Sequence, residues 1–451
     1  MRSPAGIVLA MGLAAASGAR GQAAPHGLTL SDAWELAERH HPDLAVARNG
    51  VRAAVAEGLA ARAAFLPDVR VSTAFDVTRF RRFTSTDDFG DPAEREEAVE
   101  TTARGASQGL LLDWTIFDGG TALAGRRAAT ARRREAEAAL EAARRRVQAE
   151  VARAYLDLLE RRRMLDVERA NLDARRRDVA TTRRLFPIVA ADRIDVLGAE
   201  IALRRQEAAV AAAEEAALAG GLELAQAAGT AIDPGSRLEA PREPFDPDSM
   251  DVEGLVRAAL SDHPVLRELA ARAEAAGAEA WDDGWPAYLP EIAAGASYLR
   301  SEFGGPTQPF FHLDPRDTAA SFGLRLTLPL FDRFARHAAR ARAQAAAADA
   351  AAALRAGRLE VETAVRSRFL GLRSAWRSLE IEAETASMAR ERAGLAREMY
   401  EAGGIDYTRL QPILDDASNA GRGLVQRRFD YYRALVELER VAGRTVAPPG
   451  G

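Results

Sequence analysis

The sequence predicts a mainly α-helical chain with membrane-length β-strands. It is built as two tandem repeats of short helices, a β-hairpin and a long coiled-coil helical hairpin. Three observations carry this. Laid with Asp118 on Asp332, the segment from Asp118 to Gly229 runs without a gap onto Asp332 to Gly443. Within each copy an apolar column recurs at coiled-coil spacing. Ahead of each copy the apolar period drops from helical to two.

The internal match is specific. Phe117-Asp118 falls on Phe331-Asp332, and Val147, Val151, Tyr155, Leu156 and Leu158 fall on Val361, Val365, Phe369, Leu370 and Leu372. Leu185-Phe186 falls on Met399-Tyr400, Asp192 on Asp406, and Ala228-Gly229 on Ala442-Gly443. A shared start, turn region and end mark one structural unit used twice.

Composition narrows the class. Residues 1–23 have a basic start at Arg2, an apolar small-residue run from Ala5 to Ala16, and a small-x-small site at Gly21-Gln22-Ala23. This is the pattern of an export signal. Its removal would take the formal charge from -5 to about -7, a mild acidity that gives no reason to expect nucleic acid. The chain of 451 residues has no cysteine, hence no disulfide, no cysteine metal site and no lipid-anchor cysteine. It also has no lysine; apart from six histidines, every basic side chain is arginine. Outside the signal no apolar run reaches the roughly 18 residues of a membrane helix. An exported chain of this kind is periplasmic, secreted or a membrane β-barrel.

The first repeat is expected over 24–229. "LTLSDAWELAERHHPDL" opens a helix that Thr29 or Ser31 can cap, and Pro42 interrupts it. A second helix runs to Leu66-Pro67. Val69, Val71, Thr73, Phe75 and Val77 then alternate with Arg70, Ser72, Ala74, Asp76 and Thr78, a strand with one apolar face. Arg81 to Arg104 reads as a long charged loop. Leu110, Leu112, Trp114 and Ile116 alternate again, giving a strand pair over about 69–117 and a helical hairpin over 118–229. A Pro-rich connector is expected over 230–251. The second repeat, 252–443, returns His263-Pro264 and Leu289-Pro290, a strand pair over about 292–331 and a hairpin over 332–443, before a tail at 444–451. Each half thus supplies two strands of roughly ten residues, long enough to cross a bilayer tilted.

The outgoing helix of the first hairpin carries Val151, Leu158, Leu165, Leu172, Val179 and Phe186. The second carries Val365, Leu372, Leu379, Ala386, Ala393 and Tyr400. Between the seam members lie Arg161, Arg162, Glu168, Arg169, Arg175 and Arg176. So narrow a seam fits a plain antiparallel coiled-coil hairpin. It also fits a stave in the wall of a hollow tube, wet on both sides. Pro187 stops the first hairpin's helix and Gly403-Gly404 breaks the second. Asp192, Asp195, Asp406, Asp415 and Asp416 gather near these tips. Singly each carboxylate suits helix capping. Brought together by symmetry they would form an acidic ring of the kind that favours cations in a pore.

Catalytic chemistry is not called for. The histidines do not cluster; His40-His41 and His263 sit beside prolines at helix breaks, where capping or packing is the expected role. There is no phosphate loop, no zinc-protease helix motif and no nucleophile elbow. No cofactor and no metal are expected.

These residues together resemble the TolC-like outer-membrane efflux proteins, the outer membrane factors. The matching stretches are "LTLSDAWELAERHHPDLAVAR" with its second-half partner and the two Leu-Pro pairs. "WTIFDGG", "LPLFDRF", "AYLDLL", "IDVLGAE" and "YEAGGIDYTRL" complete the set. The resemblance covers residues 28–443. It implies a homotrimer whose chains each give four strands to one twelve-stranded barrel in outer-membrane lipid and two hairpins to one periplasmic α-barrel. It implies a passive exit duct for an efflux pump or type I secretion system. The tip would dock a periplasmic adaptor (membrane fusion) protein and an inner-membrane pump of RND or ABC type. The entrance would be formed by Asp406, Arg409, Asp415, Asp416, Asp192 and Asp195, with Pro187, Val189, Gly403 and Gly404 at the docking tips. The chain departs from the family pattern in two places. Val189 stands where the first turn usually has glycine, and Arg409 and Pro412 stand where the second turn often has a pair of aspartates. Either Asp406 with Asp415 and Asp416 take over that role, or the entrance is built differently. The alternative reading is a soluble periplasmic coiled-coil adaptor or scaffold.

Overall fold

The computed structural model describes residues 28–86, 92–185, 193–233, 236–282, 284, 288–304 and 317–446. The export-signal stretch, Pro187, Val189 and Asp192 lie outside the described residues. Among the described residues, eight α-helices and four strands follow the order of the duplication. They are α1 (Leu30–His40), α2 (Pro42–Ala63), β1 (Asp68–Thr86), β2 (Pro92–Asp118), α3 (Thr121–Leu185) and α4 (Arg193–Ala228), then α5 (Val252–Asp262), α6 (Pro264–Asp282), β3 (Glu291–Gly304), β4 (Asp317–Thr327), α7 (Ala335–Glu401) and α8 (Tyr407–Ala442).

The repeated sequence signals act as helix punctuation. Thr29 caps α1 in a reciprocal capping box with Asp32. His41 and His263 do the same work in the two halves. Each ends one short helix, and its Nδ1 accepts from the backbone two residues on, Asp43 N at 3.2 Å and Val265 N at 3.3 Å. Asp118 and Asp332 turn strand into long helix: Asp118 accepts from Gly120 N and Ala122 N, Asp332 from Arg336 N. Gly229 ends α4 with a left-handed φ of +69°, and Thr230 N closes a Schellman turn on Ala225 O at 3.2 Å. A Cβ there would lie 2.9 Å from His40 O and from His41 Cα, so the glycine seats the end of α4 on the His-Pro corner. Gly443 repeats this at the end of α8 with more room, 3.5 Å to His263 Cδ2. Gly229→Ala is therefore expected to cost about 2 kcal/mol or more, left-handed strain plus a backbone clash. Gly443→Ala should cost only the strain, about 1 kcal/mol. Chemical denaturation midpoints of the two variants check the order.

The α3 and α7 helices have 65 and 67 residues. At 1.5 Å per residue each is about 100 Å long. In the sheet-side half α3 packs on α2 and α6, and α6 packs on α7; in the other half α3 packs on α4 and α8, and α8 on α7. The helices therefore lie side by side in one layer, not around a solid centre. Heptad seam residues fill the contacts: Val151, Leu158, Leu172 and Val179 of α3 and Val365, Leu372, Leu379, Ala386, Ala393 and Tyr400 of α7 are buried.

The largest core lies midway, where α1 and α5 cover the layer. The connector after α4 is strapped to it. Leu28 bridges to Leu238, and the Tyr155 hydroxyl meets Leu28 O at 2.8 Å and the Glu239 backbone at 2.9 Å. The Tyr431 hydroxyl holds Phe245 O at 2.9 Å. Burial pushes Tyr155 up to about 12, so it stays a neutral clasp through the physiological range.

The four strands form one antiparallel sheet in the order β1-β2-β3-β4. The expected charged loop from Arg81 to Arg104 is corrected here: most of it is strand, and β1 and β2 run 19 and 27 residues rather than about ten. At the base of this extension Arg81 faces Glu100 in the register, their charged groups 3.9 Å apart. No period-two apolar signal in the sequence marked it.

Candidate functional site

The sheet separates two chemistries by face. In an antiparallel ladder directly opposed residues share a face. One face carries the rows Val69–Leu112–Ala296–Phe322 and Val71–Leu110–Tyr298–Ala320, with Trp114, Ala294 and Leu324 beside them. The opposite face carries Asp68–Asp113–Gly295–Gly323 and Arg70–Leu111–Ser297–Ser321. There Arg70 bridges Asp113 at 3.1 Å and Asp68 at 3.5 Å, and the hydroxyls of Ser297 and Ser321 meet at 2.8 Å. The apolar face is exposed in the single chain, Val71 by 79% and Phe322 by 76%. It runs from Ile292 to the polar row at Arg300, about 26 Å of strand, the scale of the apolar band of a membrane barrel. Strands β1 and β4 pair on one side only.

At the far end of the long helices sits a small apolar cluster of Val179, Ala199, Ala393, Ala396, Tyr400, Tyr407, Leu410 and Leu414. Beside it runs a buried polar network that joins the two hairpins. Glu168 of α3 accepts from Arg422 of α8 at 2.6 and 3.0 Å and from Gln206 of α4 at 2.5 Å. Burial alone would raise Glu168, but the hydrogen bonds of Arg422 and Gln206 and the charge of Arg422 outweigh it and hold the carboxyl below its usual value. One heptad further, the buried Arg175 reaches Asp415 of α8 at 2.5 Å and Asp178 at 3.8 Å. Arg397 of α7 approaches Asp178 at 3.4 Å, and the Tyr400 hydroxyl donates to Thr182 at 3.1 Å.

The second half of this network is incompletely satisfied. Arg175 Nη1, Asp178 Oδ2 and the Tyr407 hydroxyl are buried without hydrogen-bond partners. Burial raises Asp178 despite Arg397 and Arg175, and pushes Tyr407 up to about 12. A buried ionic group held this way is costly to break by halves and open to rearrangement.

The tip residues named from sequence fall into separate local roles. Asp406 caps α8 through Arg409 N at 2.9 Å. Asp415 turns back onto Arg175, and the exposed Asp416 pairs with Arg392 at 3.3 Å. Asp195 lies half-buried in the first turn of α4. The exposed Arg409 lines a groove between α7 and α8 with Met388, Leu395, Met399 and Ile413. Gly403 takes φ +76°, and Gly404 N closes on Met399 O at 2.8 Å, ending α7 in an exposed Schellman turn. Sequence reasoning missed Glu168, Arg175, Asp178 and Arg422 as a unit. A signal was present: Arg161, Glu168, Arg175 and Thr182 form a second column at heptad spacing, three residues after each seam leucine or valine.

An open four-stranded sheet with one apolar face, continued by a single layer of helices about 100 Å long, defines a membrane-anchored stave of a tube. Comparison with known proteins gives the same class. Residues 33–230 and 255–444 match the family described as outer membrane efflux protein. Protein CyaE of Bordetella pertussis is 31% identical over 391 residues, covering 82% of this chain and 77% of that protein. The outer-membrane channel OprN superposes with a TM-score of 0.73 at 21% identity, over 92% of this chain and 89% of that one. VceC of Vibrio cholerae gives 0.73 at 19% identity, over 92% and 96%. The chain belongs to the outer membrane efflux protein family. It has the TolC-like channel fold and is an outer-membrane exit duct component. The soluble adaptor reading is set aside on that membership.

Proposed function

We propose that three copies of the chain close one duct, twelve strands in the outer membrane and six helical hairpins across the periplasm. Through it substrate passes passively from an inner-membrane pump of RND or ABC type and its periplasmic adaptor. The open edges of the sheet carry this reading. Strands β1 and β4 each leave a row of backbone donors and acceptors unpaired beside an apolar face, which lipid does not tolerate. Pairing β4 of one copy with β1 of the next removes both edges.

The helical layer supports the same closure. Its two flanks carry exposed apolar stripes, Ile194, Leu197 and Ile201 on α4 and Ile381, Met388 and Leu395 on α7. Leu359, Leu370 and Ile381 of α7 repeat every eleven residues, then Ile381, Met388 and Leu395 every seven. An eleven-residue period keeps a helix nearly straight, and a seven-residue period winds it left-handed. A wall that is straight near the membrane and tapers at the tip follows from that change.

The entrance is then the tip, gated by the Arg175–Asp178–Asp415–Arg397 network between hairpins, with Asp406, Asp416, Asp195 and Arg409 nearby. Gly403 and Gly404, with Pro187 and Val189 of the other turn, offer the docking tips. In mild detergent the protein is expected to run as a trimer and to form channels in planar bilayers. A monomer that stays soluble without detergent overturns the reading.

A further inference from the structure

Beyond the capping carboxylates of Asp118 and Asp332, the long helices continue with a charge pattern that helix electrostatics disfavours. A helix N-terminus is electropositive and attracts carboxylates, yet neither α3 nor α7 has an acid in its first turn. The first acidic residue is Glu135 in α3 and Asp349 in α7, and arginines occupy the interval. That is about 20 Å of helix in each repeat. Arg126 and Arg340 stand at the same position of the duplication.

The arginines divide into a paired and an unpaired set. Farther from the sheet, Arg132, Arg133 and Arg134 pair with Glu279, Glu137 and Glu274. Nearer the sheet, Arg336 pairs with Asp332 at 2.8 Å, whereas Arg126, Arg127, Arg333 and Arg340 are exposed and make no ion pair among the described residues. Leu123, Arg126, Arg127 and Thr130 share one helix face by their spacing. The Arg127 guanidinium lies 5.7 Å over the ring of Trp281, itself half exposed.

At the β4–α7 corner Phe331 and Phe334 are exposed and stack edge to face at 5.8 Å. Arg333 and Phe334 hold left-handed φ values of 57° and 64°, where the first repeat places Gly119 and Gly120. A cation and an aromatic thus occupy strained positions that glycine fills without strain. Aromatics at a membrane rim with arginines just outside them match the interfacial layer of a bilayer.

We propose that this rim is a binding surface for anionic phospholipid headgroups of the periplasm-facing leaflet. The free arginines take the phosphates bidentately, and Trp281, Phe331 and Phe334 lie at the acyl boundary. The inference rests on the sheet spanning the bilayer. Its occupant is argued from charge complementarity and from continuity with the apolar sheet face.

The test is tryptophan quenching in vesicles holding brominated phosphatidylglycerol or brominated phosphatidylcholine, with the Trp281 signal isolated by subtracting W281F. The native protein is expected to prefer phosphatidylglycerol about five-fold, as roughly one cation's attraction gives, and to lose the preference in high salt. A variant with Arg126, Arg127, Arg333 and Arg340 changed to serine is expected to show none, and the corresponding lysine variant to regain most of it. A native chain that enters the vesicles without a preference, or a serine variant that keeps it, overturns the surface. So does a serine variant that changes only channel ion selectivity, which would place these arginines in the duct lining. A native chain that never enters the vesicles overturns the duct reading and the surface with it.

Discussion

Arg175→Ala is expected to open the periplasmic entrance. The guanidinium is buried and joins α3 to α8 through Asp415, with Asp178 beside it. Its removal leaves Asp178 in a buried site with Arg397 alone. Removing one partner of a buried ionic group costs about 3–5 kcal/mol. The lower end applies here, because the Asp415 side chain is half exposed. About 3 kcal/mol shifts the closed-to-open ratio by roughly 100-fold. Planar-bilayer recordings should show a much larger and less noisy conductance. Arg176→Ala is the control, since among the described residues its exposed side chain pairs only with Asp173 one turn away. Unchanged conductance in Arg175→Ala and in Arg422→Ala would move the gate elsewhere.

The pH dependence of the proposed gate has a definite sign. Burial raises Asp178 in the closed arrangement, and solvation on opening would return it to its ordinary range. The closed state therefore binds the proton more tightly. Its advantage is fully present below the ordinary carboxylate pKa and is lost as pH rises through the raised value. Mild acidification should lower the open probability, and Asp178→Asn should remove that dependence.

Leu324→Arg is expected to prevent stable assembly in the membrane. Leu324 lies on the apolar sheet face, in the row with Ala294 and Trp114, and is exposed in the single chain. An arginine facing lipid costs about 2–4 kcal/mol at mid-bilayer and less toward the edge; Leu324 lies one row from the middle of the apolar band, and the assembled barrel would meet the cost once per copy. Gly323→Arg places the same charge on the opposite face, where a Cβ meets nothing within 4 Å and Arg325 is a neighbour. It should leave insertion intact and alter conductance instead. Membrane fractionation and trimer retention in detergent separate the two. Equal behaviour of both variants would contradict the assignment of faces.

The repeated elements were legible because they rest on local chemistry. His41-Pro42 and His263-Pro264, Asp118 and Asp332, and Gly229 and Gly443 each act within a few residues of themselves. Their spacing in the chain was enough to read two copies. The heptad seam was legible for the same reason, since a helix face is set by period alone. The reach of β1 and β2 was not. Its outer part is held by backbone pairing in register, and pairing partners nineteen residues apart leave no periodic trace.

The tip shows the same boundary more sharply. Sequence collected Asp192, Asp195, Asp406, Asp415 and Asp416 as one acidic group because all lie near the hairpin tips; Asp406, Asp415 and Asp416 are those of the second hairpin. The tertiary structure gives each a different neighbour: the start of its own helix, Arg175 of α3 and Arg392 of α7. Conversely Glu168 and Arg422 are far apart in the chain and meet only because α3 lies beside α8.

The sequence by itself determined the duplication, the strand and helix periods, the helix stops and the family resemblance, all carried by contacts local to the chain. Only the tertiary structure decided which buried charges face each other and which sheet face is apolar across all four strands. Those depend on the lateral order of helices and the register of strands, set by packing between segments that the linear sequence keeps apart.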